Sequence, residues 1–444
     1  MRFFSSADSA LWRLALPMIF SNISVPLLGL VSIAVIGHLE SPVYLGGVAV
    51  GTMATSFLFM LLLFLRMSTT GMTAQAFGAK DTPRLARALV QPLLLALIAG
   101  IAIVIFRTTL IDLALRIVGG SEEVLAQARA FLEIRWLSAP ASLANLVLLG
   151  WLLGVQYARA PVILLVVGNV LNIVLDLWLI IGLQMKVEGA ALATVAAEYA
   201  TFIIGLLMVK KVMALRGITL RMFKNSWRGD MRRLLALNRD IMLRSLLLQI
   251  CFAGITIFGA RLGGEIVAVN AVLMTLLTFT AYALDGFAYS VEAYSGQAYG
   301  ARDSSHLREV WYASCRQAGL VALAFAIIYA LAGQHIIALL TSLPEIRQLA
   351  DQYLPWQIIL PLVGVWCYLL DGMFIGATRG ADMRNSMAIA ALGFGLTLLT
   401  LPWLGNHGLW LALAVFLSLR GLALAFIWRR HWKNNTWFDG LNQH

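Results

Sequence analysis

Two polar residues, Asn172 and Asp176, interrupt the apolar stretch VLNIVLDLWLI. They are four residues apart, so on a helix they stack on one face. Thr194 and Glu198 have the same spacing in the next apolar run, AALATVAAEYATFIIG. A carboxylate at the centre of hydrocarbon costs about 2.5–3.5 kcal/mol on insertion scales, so an acid in such a run is a functional residue by default. Its charged form is the costly one, which suits it to bind and release a proton. Asp176 falls in the outer half of its run, Thr194 lies near the outer start of the next, and Ser32 is near the outer end of the first, in VSIAVIGH. Ser32, Asn172, Asp176 and Thr194 therefore share one depth. Glu198 either faces the same interior or pairs with a neighbouring helix. Two further acids, Asp285 and Asp371, sit at matched depth in the second half of the chain. They are either functional acids or helix-end acids paired with Arg244 or Arg379. Glu292, nearer a helix end, reads as interfacial, and Pro26 removes a backbone donor inside the first run, which favours a kink.

Long helices must carry these groups. Of 444 residues, 60% are hydrophobic and only 12% charged, against nearly half and about a quarter in soluble domains. Apolar runs of span length recur from end to end, which marks an all-α polytopic membrane protein. Twelve spans are expected, at about 10–36, 44–68, 87–107, 126–150, 161–182, 189–211, 236–260, 267–293, 311–332, 350–375, 386–404 and 408–428. The N-terminal run continues past Pro17 and Pro26 to Gly37 with no small-residue cleavage site, and is expected to be the first span rather than a signal peptide. The segment 112–125 is expected to form a short interfacial helix. Cys251, Cys315 and Cys367 all fall in apolar runs without a CxxC, so neither a disulfide framework nor a zinc site is indicated. No bound metal or cofactor is expected.

The net charge of +11 reads as basic loops holding one face of a membrane, with no nucleic-acid partner. Of the 33 Lys and Arg, only Arg107, Arg116, Arg129, Arg135, Lys186, Arg261 and Arg347 fall on the outer side when the N-terminus is inside. Both termini are therefore expected in the cytoplasm. The basic connection 212–235 splits the chain into bundles at 1–211 and 236–432, followed by a tail at 433–444.

The two halves are a repeat. TAQAFGAKD at 73–81 matches SGQAYGARD at 295–303, an offset of 222 that also aligns Gly37 with Gly259 and Gly154 with Gly376. Halves of six spans each share one orientation, related by an axis near the membrane normal. In each copy the motif is expected to end a span, its glycines turning the chain and its Lys or Arg at headgroup level.

The twelve spans, the 6+6 repeat and the paired Q-A-[FY]-G-A-[KR]-D turns resemble the multidrug and toxic compound extrusion (MATE) family. LWRLALPMIFSN…PLLGLV…AVIGH and GVQYARAPVILLVVGNVLNIVLDLWLI resemble its DinF (DNA-damage-inducible protein F) branch over essentially the whole chain. The resemblance implies the MATE fold, a pair of six-helix bundles that rock against each other. It implies a secondary antiporter in a bacterial cytoplasmic (inner) membrane, exporting organic, mostly cationic or amphiphilic compounds in exchange for H+ or Na+. It points to Asn172 and Asp176 as part of an N-terminal cation site, links bending at Pro26 to that site, and puts Ser32 where relatives of this branch carry an acid. Acids of the C-terminal bundle carry sodium in another branch. A flippase for a lipid-linked precursor is the alternative, disfavoured because the central spans hold few Lys or Arg. A membrane-embedded enzyme is less expected, since the chain has no H-E-x-x-H motif and no paired aspartates for a metal-bound pyrophosphate. No Walker A motif supports an ATP-driven pump. A monomer in the lipid bilayer is expected, with small molecules as its other partners.

Overall fold

The computed structural model describes residues 6–39, 41–219, 221, 224, 226–229 and 231–442, without the side chains of 26–33 and 440–442. The side chains of Pro26 and Ser32 thus lie outside the described residues, although the backbone there is helical. Helix α1 is Ser6–Gly37. Eleven more helices among the described residues are long and apolar enough to cross a membrane: α2 Pro42–Gly78, α3 Thr82–Ile105, α4 Glu122–Gly154, α5 Arg159–Gly182, α6 Lys186–Arg216, α7 Arg232–Leu262, α8 Gly264–Gly300, α9 Ser304–Leu340, α10 Pro344–Gly376, α11 Gly380–Leu404 and α12 Asn406–Lys433. Most outrun the expected spans because their polar end turns stay helical beyond the apolar stretch.

The helix expected at 112–125 is instead Arg107–Val118. Gly119 and Gly120 adopt positive φ, and the Ser121 hydroxyl accepts from Val124 N at 3.4 Å, so α4 already begins at Glu122.

The repeat is visible in the backbone. Contrary to the expectation from the sequence, the motif's glycines do not turn the chain. Gly78 and Gly300 stay helical, and the left-handed residues are Lys80 (φ 55) and Arg302 (φ 53). Asp81 and Asp303 then cap α3 and α9, accepting from Arg84 N at 3.3 Å and His306 N at 3.1 Å. Where glycine is needed is in helix contact. A Cβ on Gly150 would lie 2.6 Å from Arg66 O, and one on Gly154 2.6 Å from Thr73 Cβ. At the positions 222 later, a Cβ on Gly372 would lie 2.7 Å from Ala288 O, and one on Gly376 would clash with Ser295 Oγ. The same α2–α4 contact recurs as α8–α10.

The chain forms two compact units, Phe20–Leu234, and Leu235–His444 together with the residues up to Ile19. The boundary drawn from sequence put the whole of α1 with residues up to 211. In the structure its first turns are held by the second unit. Asp8 is fully buried and pairs with Arg316 at 3.1 Å. Trp12 Nε1 donates to Gln317 Oε1 at 2.9 Å, and Ser290 Oγ and Tyr294 OH donate to the carbonyls of Leu11 and Ala10 at 2.9 and 3.0 Å. In the same unit the segment after α12 folds back. Trp437 is buried between Tyr299 and Phe374, with ring centroids 6.2 and 5.1 Å away. Arg379 Nη2 donates to the carbonyls of Thr436 and Trp437 at 3.3 and 2.8 Å.

Candidate functional site

In the first unit, α5 is α-helical to Asp176 and then widens into a π-helical turn, Leu177–Gly182. Such turns shift the register of the side chains after them and recur at functional sites. Asn169, Asn172 and Asp176 form one polar stripe on an apolar helix. Asn172 and Asp176 are buried, at 7% and 2% exposure. Asn172 Nδ2 donates to Thr194 Oγ1 on α6 at 3.5 Å, and Thr194 passes its own proton to Ala190 O at 3.1 Å. Asn169 Nδ2 donates to Ser24 Oγ on α1 at 3.3 Å. The stripe therefore ties α5 to both α1 and α6. Asn172 Oδ1 is buried and has no hydrogen-bond partner among the described residues. A buried acceptor without a donor costs about 1–3 kcal/mol. It lies one turn from the buried carboxylate of Asp176.

Glu198 turns away to α4. Asn145 Nδ2 donates to its Oε2 and to its backbone carbonyl, each at 3.1 Å. Of the two readings left open by the sequence, the neighbouring helix is the partner. Asn145 escaped the sequence reading, because a single amide in LANLVLLGWLL gives no spacing signal.

In the second unit, Asp371 is the hub of a buried ion cluster. It accepts from Arg244 Nη2 at 2.8 Å and also from Arg420 Nη2. Arg379 is engaged elsewhere, with Asp382 and the chain after α12. Asp285 is half-buried on α8. Glu292, expected at an interface, is 1% exposed, because α10 covers it at Gly376. The spans also hold more buried guanidinium than the sequence reading allowed: Arg66, Arg244 and Arg420 are all buried. Two of these share the Asp371 carboxylate, and Arg66 reaches Thr70 Oγ1 at 3.4 Å. Arg420 was legible in principle as a lone charge in an apolar run.

The repeat shows how the two units diverged. Adding 222 converts Asn172 to Phe394, Thr194 to Phe416, Asp176 to Leu398 and Glu198 to Arg420. Where Asn172 bonds Thr194 in the first unit, the rings of Phe394 and Phe416 meet edge-on in the second, 6.1 Å between centroids. Equivalent positions thus hold a polar pair with an acid beyond it in one unit, and an aromatic pair with a guanidinium beyond it in the other. The polar stripe is not duplicated.

The MatE family profile matches the chain twice, over residues 17–178 and again over 241–403, one match in each half. The chain belongs to the MATE family. It is 78% identical to DNA damage-inducible protein F of Escherichia coli (strain K12) over 438 residues, covering 99% of this chain and 95% of that protein, which puts it in the DinF branch. It is 27% identical to the probable multidrug resistance protein NorM of Bradyrhizobium diazoefficiens over 433 residues, 91% of this chain and 89% of that one. The fold matches a solved outward-facing MATE transporter of the MOP superfamily with a TM-score of 0.86 at 23% identity, over 97% of each chain. This MATE protein is therefore a multi-pass membrane transporter and not an enzyme.

Proposed function

We propose that the chain is a secondary active efflux antiporter. It exports organic, mostly cationic or amphiphilic compounds in exchange for H+ or Na+ across a bacterial inner membrane, with both termini in the cytoplasm. The observation that carries this reading is the buried stripe on α5: Asp176, with the open Asn172 Oδ1 one turn away and Thr194 bonded to the same amide. A carboxylate, an amide oxygen and a hydroxyl are the acceptors that a small hard cation or a shared proton takes. Asp176 is the coupling acid, Asn172 and Thr194 its neighbours, and Glu198 a second acid tied to Asn145 on α4. Asp371 is a poor seat for an exchangeable cation, because two resident guanidiniums already occupy its carboxylate.

Ser32 stands where the branch usually has an acid, and serine cannot take part in proton exchange near neutral pH. With Asp176 alone, the like-charge repulsion that lets two acids share a proton is gone. Proton-coupled turnover of this chain is accordingly weak. The test is substrate-induced proton release and efflux in proteoliposomes from pH 5.5 to 8. Asp176→Asn abolishes what coupling exists, since the amide keeps the shape and cannot titrate, and Ser32→Asp raises proton-dependent efflux. A variant Asp176→Asn that matches the parent across this range refutes the assignment. ATP-driven uptake that persists after proton and sodium gradients are dissipated refutes antiport itself.

A further inference from the structure

Several described residues between the end of α6 and the start of α7 are held in place. Arg216 Nη2, at the end of α6, donates to Val155 O at 3.2 Å, and its guanidinium lies 5.2 Å from the Phe77 ring centre. Ile218 and Ser226 are buried. Gly229 lies against the side chains of Arg87 and Gln91, and Arg233 Nη2 donates to Gln75 Oε1 at 3.0 Å. These contacts fix Arg216, Gly229 and Arg233 to the ends of α2, α3 and α4 within the first unit.

What it leaves outward is basic. Lys210, Lys211, Arg221, Lys224, Arg228 and Arg232 are all exposed. From 199 to 234 the sequence holds eight Lys and Arg and a single acid, Asp230. The charge begins where the lipid-facing stripe ends: Ile203, Leu206 and Leu207 are exposed on α6, and Lys210 and Lys211 follow within one turn. Two large apolar side chains, Leu215 and Trp227, stand exposed among the charges, with the Arg228 guanidinium 4.9 Å over the Trp227 ring.

We propose that this plate is a binding surface for anionic phospholipid headgroups. Basic clusters directly beyond a membrane helix attract anionic lipid, and tryptophan with arginine sits at headgroup depth. Three observations favour lipid over nucleic acid as the polyanion. The plate is continuous with the hydrocarbon-facing side of α6, it carries exposed apolar side chains, and its basic residues flank the end of a span. Because Arg216, Gly229 and Arg233 are anchored to the helix ends before any lipid arrives, the ordering cost at binding is reduced.

The experiment counts lipids retained by the purified full-length protein, by native mass spectrometry from mixed micelles of phosphatidylglycerol and phosphatidylcholine. The parent retains phosphatidylglycerol in preference. Each basic residue at an anionic surface is worth about fivefold, so Arg221→Gln/Lys224→Gln/Arg228→Gln lowers that preference by about a hundredfold. These side chains are exposed, and thermal unfolding in phosphatidylcholine alone checks that the variant is folded. The comparison variant Arg429→Gln/Arg430→Gln/Lys433→Gln removes three exposed charges from the C-terminal end of α12 and keeps the preference. Equal retention of the two lipids by the parent overturns the proposal. So does an equal loss in both variants, and so does a short RNA hairpin that displaces phosphatidylglycerol from the parent.

Discussion

Asp371→Asn strands two guanidinium groups at once. Asp371 is the acceptor for both Arg244 and Arg420, and the three side chains are only 10%, 9% and 5% exposed. Removing the shared partner of a buried ion pair costs about 3–5 kcal/mol, because what remains is uncompensated buried charge. Removing one arginine is different. Arg420→Met leaves the Arg244–Asp371 bond at 2.8 Å, so the loss is one charge-assisted bond, about 1.5–3 kcal/mol. Part of that is offset, since methionine buries apolar surface beside Phe416. The expected order of destabilisation is therefore Asp371→Asn first, then Arg420→Met and Arg244→Met. Replacing all three, Asp371→Leu with Arg244→Met and Arg420→Met, recovers most of the loss, as apolar substitution of whole buried clusters does elsewhere. The assay is thermal unfolding of purified protein in one detergent at one lipid content. An Arg420→Met variant at least as unstable as Asp371→Asn, with no recovery in the triple variant, refutes the idea that the carboxylate is the hub.

The glycine contacts make a paired prediction. Gly150→Ala and Gly372→Ala each destabilise by about 1–3 kcal/mol through backbone clash, while Gly395→Ala, which meets nothing within 4 Å, stays within about 1 kcal/mol of the parent in the same unfolding assay. Arg316→Gln lowers stability more than Asp8→Asn, because it removes the guanidinium facing a fully buried carboxylate, whereas Asp8→Asn leaves an Arg316 side chain that is 41% exposed and keeps its water; equal losses contradict this. Trp437→Ala costs about 3–5 kcal/mol, measured the same way, because it empties a fully enclosed aromatic seat.

The architecture was readable in the sequence because membrane helices announce themselves by apolar runs. The repeat was readable because the Asp81 and Asp303 caps and the Gly150, Gly154, Gly372 and Gly376 contacts constrain residue type in both copies. The Asn172–Thr194 bond was within reach of spacing, since depth along two spans puts these residues level. What a sequence could not give was direction around the helix axis. Glu198 and Thr194 are one turn apart, yet one reaches α4 and the other α5. The same limit left Arg420 unassigned and put Glu292 at an interface. The turn after the shared motif was misread for another reason: glycine there favours positive φ, but packing keeps Gly78 and Gly300 helical and passes the strain to Lys80 and Arg302.

The attachment of α1 has a consequence for biogenesis. Asp8 is made long before its partner Arg316, which lies 308 residues further along the chain. While α9 is still unmade, the face bearing Asp8, Leu11, Leu14, Ala15 and Met18, all buried in the finished protein, has no seat. Helix α1 is thus made long before it can be locked, and closure over so long a separation is entropically slow. In that interval the same face is complementary to the second unit of any neighbouring copy. The contacts that tie α1 to α8 and α9 of its own chain are equally a route for exchanging α1 between two chains when the membrane is crowded with newly made copies.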